Sequence, residues 1–301
     1  SDNASSMGGS QIFLQTGEKY KVKELMKGIA IASGNDAVVA MAEKVHGSVG
    51  SFVDAMNNKA KALGLTGTHF DNPHGLESEN HYTTARDMSI MALELLKHEK
   101  ILEFTSIYED YLKKPDGSSI WLVNTNRLVR FYEGVDGLKT GFTNEAGYCI
   151  TTTAKRGDMR LLSVVMKAQT SDLRSKDTVS MLNYGFNTYK LDVLLEREKE
   201  LGEINVEKGS KKNVKVYLES DVTILSRVTD SNETFDYNLV VEDIKAPVKQ
   251  GEKVGYLEVM DGEGNIIKEV NVVVNEEVES ASFLTLFGRV LGLFTSGSFL
   301  S

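Results

Sequence analysis

Two short stretches carry side chains of the kinds that do chemistry, Lys139-Thr140-Gly141 and Ser33-Gly34-Asn35. The first sits in Val135-Asp136-Gly137-Leu138-Lys139-Thr140-Gly141-Phe142, which reads as a turn feeding a strand. Its ammonium and hydroxyl would suit an anionic group, and Gly141 lets a ligand approach the backbone because no Cβ is in the way. The second lies between two helical runs. It reads either as a plain helix break, since Gly and Asn favour turns, or as a loop projecting a hydroxyl and a carboxamide into a cleft.

Apolar residues at Val22, Leu25, Met26 and Ile29 predict a helix over 20–31, resumed over 37–45 after the Ser-Gly-Asn break. A third helix is expected over 48–63 with Phe52, Met56 and Leu63 inward, ended by Gly64. Thr84 and Asp87 resemble a capping box, with Asp in place of Glu, opening a helix to about Lys97 whose Met88, Met91 and Leu95 form a core stripe. Ile120 to Val123 reads as a strand, closed by the polar loop Asn124-Thr125-Asn126-Arg127. The segments 148–154 and 159–168 then pair as a hairpin about Arg156-Gly157-Asp158, giving an antiparallel sheet with Lys139 on its first strand. A helix follows over 171–189. Its first turn holds Arg174, where a cation opposes the helix dipole, so the residue is expected to have another job. Charged residues near 194–200 read as a linker. Short alternating runs from 201 to 275 read as a small all-β domain.

The composition excludes some functions. A net charge of −9 over 301 residues argues against nucleic acid as the main partner. The single cysteine, Cys149, permits no intrachain disulfide and is expected to be a buried small hydrophobe. Five histidines invite a zinc hypothesis, centred on His74 and His81. They lack ligand spacing, and loop-structuring hydrogen bonds are the preferred reading. Beyond the acidic run Glu276-Glu277-Val278-Glu279, read as a linker, Phe283, Leu286, Phe287, Val290, Leu291 and Phe294 fall on one helical face. That run is shorter than the roughly twenty residues a bilayer requires. An amphipathic helix lying in the membrane interface is preferred over a core helix of the β domain.

Together the two triplets resemble the second and third motifs of the penicillin-binding and serine β-lactamase superfamily. Flanking stretches narrow the resemblance: Gly28-Ile-Ala-Ile-Ala-Ser-Gly-Asn-Asp-Ala, Leu63-Gly-Leu-Thr-Gly-Thr-His-Phe, His74-Gly-Leu and Thr84-Ala-Arg-Asp-Met are similar to D-alanyl-D-alanine carboxypeptidases, peptidase S11. The resemblance runs nearly end to end. It implies an α/β (α+β) penicillin-binding domain with an antiparallel sheet and a helical lobe over 1–197. A small all-β sandwich domain over 198–277 and an amphipathic membrane-association tail over 278–301 complete the expected organisation.

One departure is plain: the sequence contains no Ser-x-x-Lys, the first motif of the family. Thr16-Gly17-Glu18-Lys19 has the skeleton but sits too close to Ser33. The expectation is therefore a chain cut upstream, lacking nucleophile and signal peptide and inactive as it stands. For the complete enzyme the resemblance implies a penicillin-sensitive serine carboxypeptidase that removes the terminal D-alanine of peptidoglycan stem peptides through an acyl-enzyme. Ser33, Asn35 and Lys139 would be catalytic. Thr140, Gly141, Phe142 and Arg174 would bind substrate, with Phe142 N–H giving half of the oxyanion hole; for Arg174 a surface salt bridge is the plainer reading. No cofactor or metal is implied. The expected partners are stem peptides ending in D-Ala-D-Ala, β-lactams and a membrane surface, the expected place the outer face of a bacterial cytoplasmic membrane. A non-catalytic module that binds peptidoglycan peptides or a cell-wall partner is the alternative. A β-lactamase would have neither the β domain nor the tail.

Overall fold

The computed structural model describes residues 1–229 and 234–295, with side chains through Arg289. The chain divides into two compact units, Ser1–Asn187 and Thr188–Ser301.

The first unit opens with a short helix α1 (Asp2–Ser5) and an extended stretch, then α2 (Val22–Ala30), α3 (Asn35–His46) and α4 (Val49–Ala62). α4 is capped by Ser48, whose hydroxyl accepts from Ser51 N–H. After a long loop comes α5 (Ala85–Leu96), where Thr84 accepts from Asp87 N–H as expected. The Asp87 carboxylate departs from the capping-box reading: it accepts from Gly67 N–H and Thr68 Oγ1, so it ties the loop rather than closing the box. Leu95 also departs from its stripe and is exposed. Next come α6 (Leu102–Thr105), the hairpin β1 (Glu109–Lys113) and β2 (Ser119–Val123), and the single turn α7 (Leu128–Phe131). β3 (Val135–Thr143), β4 (Gly147–Arg156) and β5 (Met159–Ala168) form an antiparallel sheet in that order, with Arg156-Gly157-Asp158 at the predicted hairpin turn. α8 (Ser171–Thr188) closes the unit.

Two cores support it. Ile12, Leu14, Leu25, Ile31 and Ala37 of the helical lobe pack with Leu112 and Leu122 of the hairpin. Leu128, Tyr132, Val135, Ile150, Ala154 and Leu182 join α7, the sheet and α8. β3 lies at the sheet edge, with no strand paired on its other side among the described residues.

The second unit is all-β, as expected. It comprises β6 (Tyr189–Leu195), β7 (Glu200–Glu207), β8 (Asn213–Leu218), β9 (Val222–Arg227), β10 (Asp236–Val241), β11 (Ile244–Lys245), β12 (Lys253–Met260) and β13 (Ile266–Val274), then α9 (Phe283–Thr295). Six strands make one sheet, ordered β10-β12-β13-β8-β7-β11, and β6 pairs with β9. A valine-rich core fills the unit.

Two expected boundaries move. The division falls before Thr188 rather than at 197/198, because Tyr189–Leu195 is a strand paired with Val222–Arg227 and belongs to the second unit. The acidic run near 278 is no linker. Val278 is 1% exposed in the β core and pairs with Val248, so only the flanking glutamates face water. The tail helix starts at Phe283. Phe283, Leu284 and Phe287 are exposed, while Arg289 donates to the carbonyls of Gly209 and Ser210, so this cation is engaged with the β domain. The expected positions Val290, Leu291 and Phe294 lie outside the described side chains, as do residues 296–301 altogether. Among the described residues no helix is long and apolar enough to cross a membrane.

Candidate active site

A cleft of about 750 Å³ in the first unit is lined by Ser33, Asn35, Lys139, Thr140, Gly141, Phe142 and Arg174. The structure thus brings every sequence-predicted site residue to one cavity. How each arrives there follows from local chemistry.

Ser33 has φ of +61°, a left-handed conformation that costs a non-glycine residue about 1–3 kcal/mol. The strain is held by its neighbours: Gly34 N–H bonds Gly28 O at 2.9 Å and Asn35 N–H bonds Ser10 O at 2.8 Å. Of the two readings for this triplet, the projecting loop is the one observed. Asn35 begins α3 with its side chain buried, donating through Nδ2 to Gly8 O at 2.8 Å. Beside it, Asp36 is 1% exposed and accepts backbone N–H groups from Ile12 and Leu14 at 3.0–3.1 Å. That carboxylate fastens the extended segment before α2 onto the start of α3, and so frames the Ser33 side of the cleft.

On the opposite wall, β3 presents Lys139, Thr140 and Gly141 against Thr151, Ile150 and Cys149 of β4. Lys139 Nζ donates to Thr140 O at 2.9 Å. Desolvation, with a further push from the Arg174 cation, lowers its pKa from 10.5 to about 8. Phe142 packs against Tyr148, ring centroids 4.4 Å apart and tilted by 36°, and lines the cleft. The start of β3 is fixed by Thr105 Oγ1 donating to Asp136 O at 2.8 Å and by the Arg160–Asp136 ion pair.

Arg174 makes no surface salt bridge, contrary to the plainer expectation. Its side chain is buried, with no ion-pair partner among the described residues; Nη1 reaches Cys149 O at 3.4 Å, and buried Nε has no hydrogen-bond partner. Desolvation, with a contribution from the Arg127 cation, lowers its pKa. A guanidinium so placed keeps its charge and has donors to spare for an anion. Cys149 is also less buried than expected. Its thiol borders the turn at Ala146 and accepts from Lys167 N–H.

Thr125 and Arg127 were not singled out from sequence, yet both line the cleft. Asn124 and Asn126 place them. Asn124 donates to Thr105 O and Ile107 O and accepts from Asn126 N–H, while Asn126 donates to Gly137 O and accepts from Leu128 N–H. These two buried carboxamides fix the loop so that Thr125 Oγ1 meets Thr140 Oγ1 at 2.7 Å. The alternation Asn-Thr-Asn-Arg after a strand was the available signal. His74 lines the cleft as well; its Nδ1 accepts from Leu76 N–H, and His81 Nδ1 accepts from Asp71 N–H. Burial lowers the pKa of both, which favours the neutral acceptor forms.

The arrangement is therefore an open cleft with three cations, Lys139, Arg174 and Arg127, beside the hydroxyls of Thr125 and Thr140. It suits a carboxylate-bearing ligand laid along β3.

Comparison with known proteins identifies the family. Residues 1–170 match the D-alanyl-D-alanine carboxypeptidase family, and residues 186–280 match the C-terminal domain of penicillin-binding protein 5. D-alanyl-D-alanine carboxypeptidase DacF of Bacillus subtilis is 46% identical over 296 residues, covering 98% of this chain and 76% of that protein. The crystal structure of penicillin-binding protein 5 from Haemophilus influenzae superposes with a TM-score of 0.67 at 32% identity, covering 90% of this chain and 78% of that one. Penicillin-binding protein D2 from Listeria monocytogenes, solved in an ampicillin-bound form, superposes with a TM-score of 0.53 at 34% identity, covering 60% and 74%. The chain belongs to the D-alanyl-D-alanine carboxypeptidase family of penicillin-binding proteins, peptidase S11.

Proposed function

We propose that these 301 residues form the substrate-binding part of a serine-type D-Ala-D-Ala carboxypeptidase, able to hold stem peptides and β-lactams but not to form an acyl-enzyme. The observation that carries the reading is the convergence of Lys139, Thr140 and Arg174 on one cleft wall with Ser33 and Asn35 facing them. The terminal carboxylate would sit on Lys139, Thr140 and Arg174, satisfying the orphaned Nε of the arginine; charge-assisted contacts of this kind are about twice as strong as neutral ones. Asn35 retains a second N–H for the peptide backbone, and Phe142 N–H would give one oxyanion donor. In catalysis Ser33 would relay a proton to the leaving D-alanine amine. The nucleophile and its lysine base belong to a Ser-x-x-Lys motif that the sequence does not contain. Losing the nucleophile removes the covalent route, while binding contacts persist. The ampicillin-bound relative supports β-lactams as ligands of the same cleft.

The test pairs two assays on the chain as it is. Calorimetry with an N-acyl-D-Ala-D-Ala peptide should show saturable binding that Thr140→Val weakens. Fluorescent penicillin should give no label that survives denaturation. Covalent labelling would mean that a serine of these residues is the nucleophile; absence of peptide binding would remove the reading altogether.

For placement, we propose the outer face of the cytoplasmic membrane, with α9 lying on the lipid surface. The exposed Phe283, Leu284 and Phe287 support this, since such an apolar face gains by burial in the acyl boundary. With Arg289 engaged by Gly209 and Ser210, binding should depend little on anionic lipid. Flotation with neutral and anionic vesicles checks it: equal binding, lost in Leu284→Ser/Phe287→Ser, is expected, and no flotation would overturn it.

A further inference from the structure

The chain's one tryptophan is placed where tryptophans seldom are. Trp121 is 59% exposed on β2, and directly across from it on β1 lies Tyr111, 60% exposed. Lys114 N–H to Ser118 O and Asn124 N–H to Tyr108 O set the alternation of the hairpin ladder, which makes Tyr111 and Trp121 a non-hydrogen-bonded pair. In such a pair the Cα atoms approach to about 4.5 Å and the side chains stand closest. The opposite hairpin face is fully used, with Leu112 at 0% and Leu122 at 3% exposure in the helical-lobe core. The aromatic face is therefore a surplus, held in place by its backing. It is also braced laterally: Lys27 pairs with Asp110 at 2.6 Å, and Glu24 accepts from Lys113 N–H at 2.9 Å.

Two features say what would cover it. The first is continuity. Val123 stands on the same hairpin face two residues beyond Trp121, about 7 Å along the strand, and Val123, Asn124 and Thr125 line the cleft. The second is size and mixture. Two rings exposed to this degree offer roughly 250 Å², well short of the roughly 800 Å² per partner of a stable protein interface. Glu109, Lys113 and Ser119 share the face, so charges of both signs and a hydroxyl border the rings, which disfavours a lipid surface. An exposed aromatic area with hydrogen-bonding groups at its edge matches one ligand chemistry, the pyranose ring, whose C–H face is apolar and whose rim carries hydroxyl and acetamido groups.

We infer that the Tyr111/Trp121 face is a saccharide platform that engages the amino-sugar chain to which a stem peptide is attached, next to the cleft that takes the peptide. The inference rests on the proposed function for its ligand, and extends it from a peptide site to a glycan-linked peptide site. The rings would stack on one sugar face, with Glu109, Lys113 and Ser119 meeting the polar rim.

The lone tryptophan makes the test direct. An N-acetylglucosamine tetrasaccharide is titrated into the intact chain while tryptophan emission is followed. A saturable change is expected, with Tyr111→Ala weakening the interaction about fivefold to tenfold. In parallel, calorimetry compares a muramyl-linked pentapeptide with the same pentapeptide free of sugar. The sugar-linked form should bind more tightly, and Trp121→Ala should abolish that advantage while leaving the free peptide unaffected. Both rings are exposed, so unchanged melting of the variants confirms an intact fold. Unmoved emission together with equal affinity for the two peptides would overturn the platform and leave the peptide site standing. Saccharide binding without binding of either peptide would support the platform and remove the peptide reading.

Discussion

Lys139 offers the sharpest quantitative test of the site. Its pKa in the empty cleft is about 8, depressed by desolvation and by the Arg174 cation. At pH 7 such a group is about 90% charged, and at pH 9 about 10%. A bound carboxylate brings a counter-charge and favours the ammonium. If that contact is worth about 1.5–3 kcal/mol, it raises the lysine pKa by about one to two units in the complex. Linkage then fixes the profile. Affinity for a D-Ala-D-Ala peptide is full below pH 8 and falls as pH rises through 8. It levels off near pH 9–10, about tenfold to a hundredfold weaker. Calorimetry from pH 6.5 to 10 measures this, with Lys139→Met as the flat, weak control and Lys139→Arg as the flat control that keeps its charge. Fold stability carries the opposite sign. Because the folded pKa lies below the unfolded value, the penalty for burying the charge is present below pH 8 and is relieved between pH 8 and 10.5. The stability gap between wild type and Lys139→Met should therefore shift in favour of wild type across that window. A wild-type affinity that stays constant from pH 7 to 9.5 would refute a perturbed Lys139 at the carboxylate site.

Two further outcomes test the frame around the site. Asp36→Ala leaves the buried N–H groups of Ile12 and Leu14 without an acceptor, at about 1–3 kcal/mol each, so urea unfolding should show a loss of about 2–6 kcal/mol; less than 1 kcal/mol would mean that water replaces the carboxylate. In the β domain, a Cβ on Gly255 would stand 2.1 Å from Val240 O and 2.9 Å from Val241 Cα at an irregularity of the β12–β13 ladder. Gly255→Ala should therefore cost at least about 1–3 kcal/mol and lower the melting transition of that unit, while peptide binding in the cleft is retained.

What could be read in the sequence, and what could not, divides by the range of the cause. The helices over 22–30, 49–62 and 85–96 and the hairpin at Arg156-Gly157-Asp158 follow from periodicity and turn chemistry that act within a few residues, and the structure places them where those signals fall. The triplets at Ser33 and Lys139 were legible because their residue types resemble a known pair of motifs. Misreadings arose where a partner lies far along the chain. Leu194 to Glu200 looks like a linker until Tyr189–Leu195 is seen paired with Val222–Arg227, and Val278 is hidden among glutamates until Val248 claims it. The same reason made Arg174 deceptive. A cation in a helix's first turn signals another job without saying which, and only the fold of β3 and β4 against α8 buries it beside Cys149 O.

That distinction bears on how the site works. Asn126 and Asp36 lie behind the cleft and Asn124 borders it; each is buried because its side chain satisfies backbone groups of another segment. Removing any of them would leave several buried donors or acceptors unpaired, a cost that rises steeply in a low-dielectric interior. The cations of the cleft depend on this scaffold. Asp136 and Gly137, just upstream of Lys139 on β3, are fixed by Thr105, Arg160 and Asn126. The depressed lysine and the orphaned arginine are thus two consequences of one rigid wall. A ligand carboxylate would relieve both at once, which is the physical reason the proposed site would favour an anion.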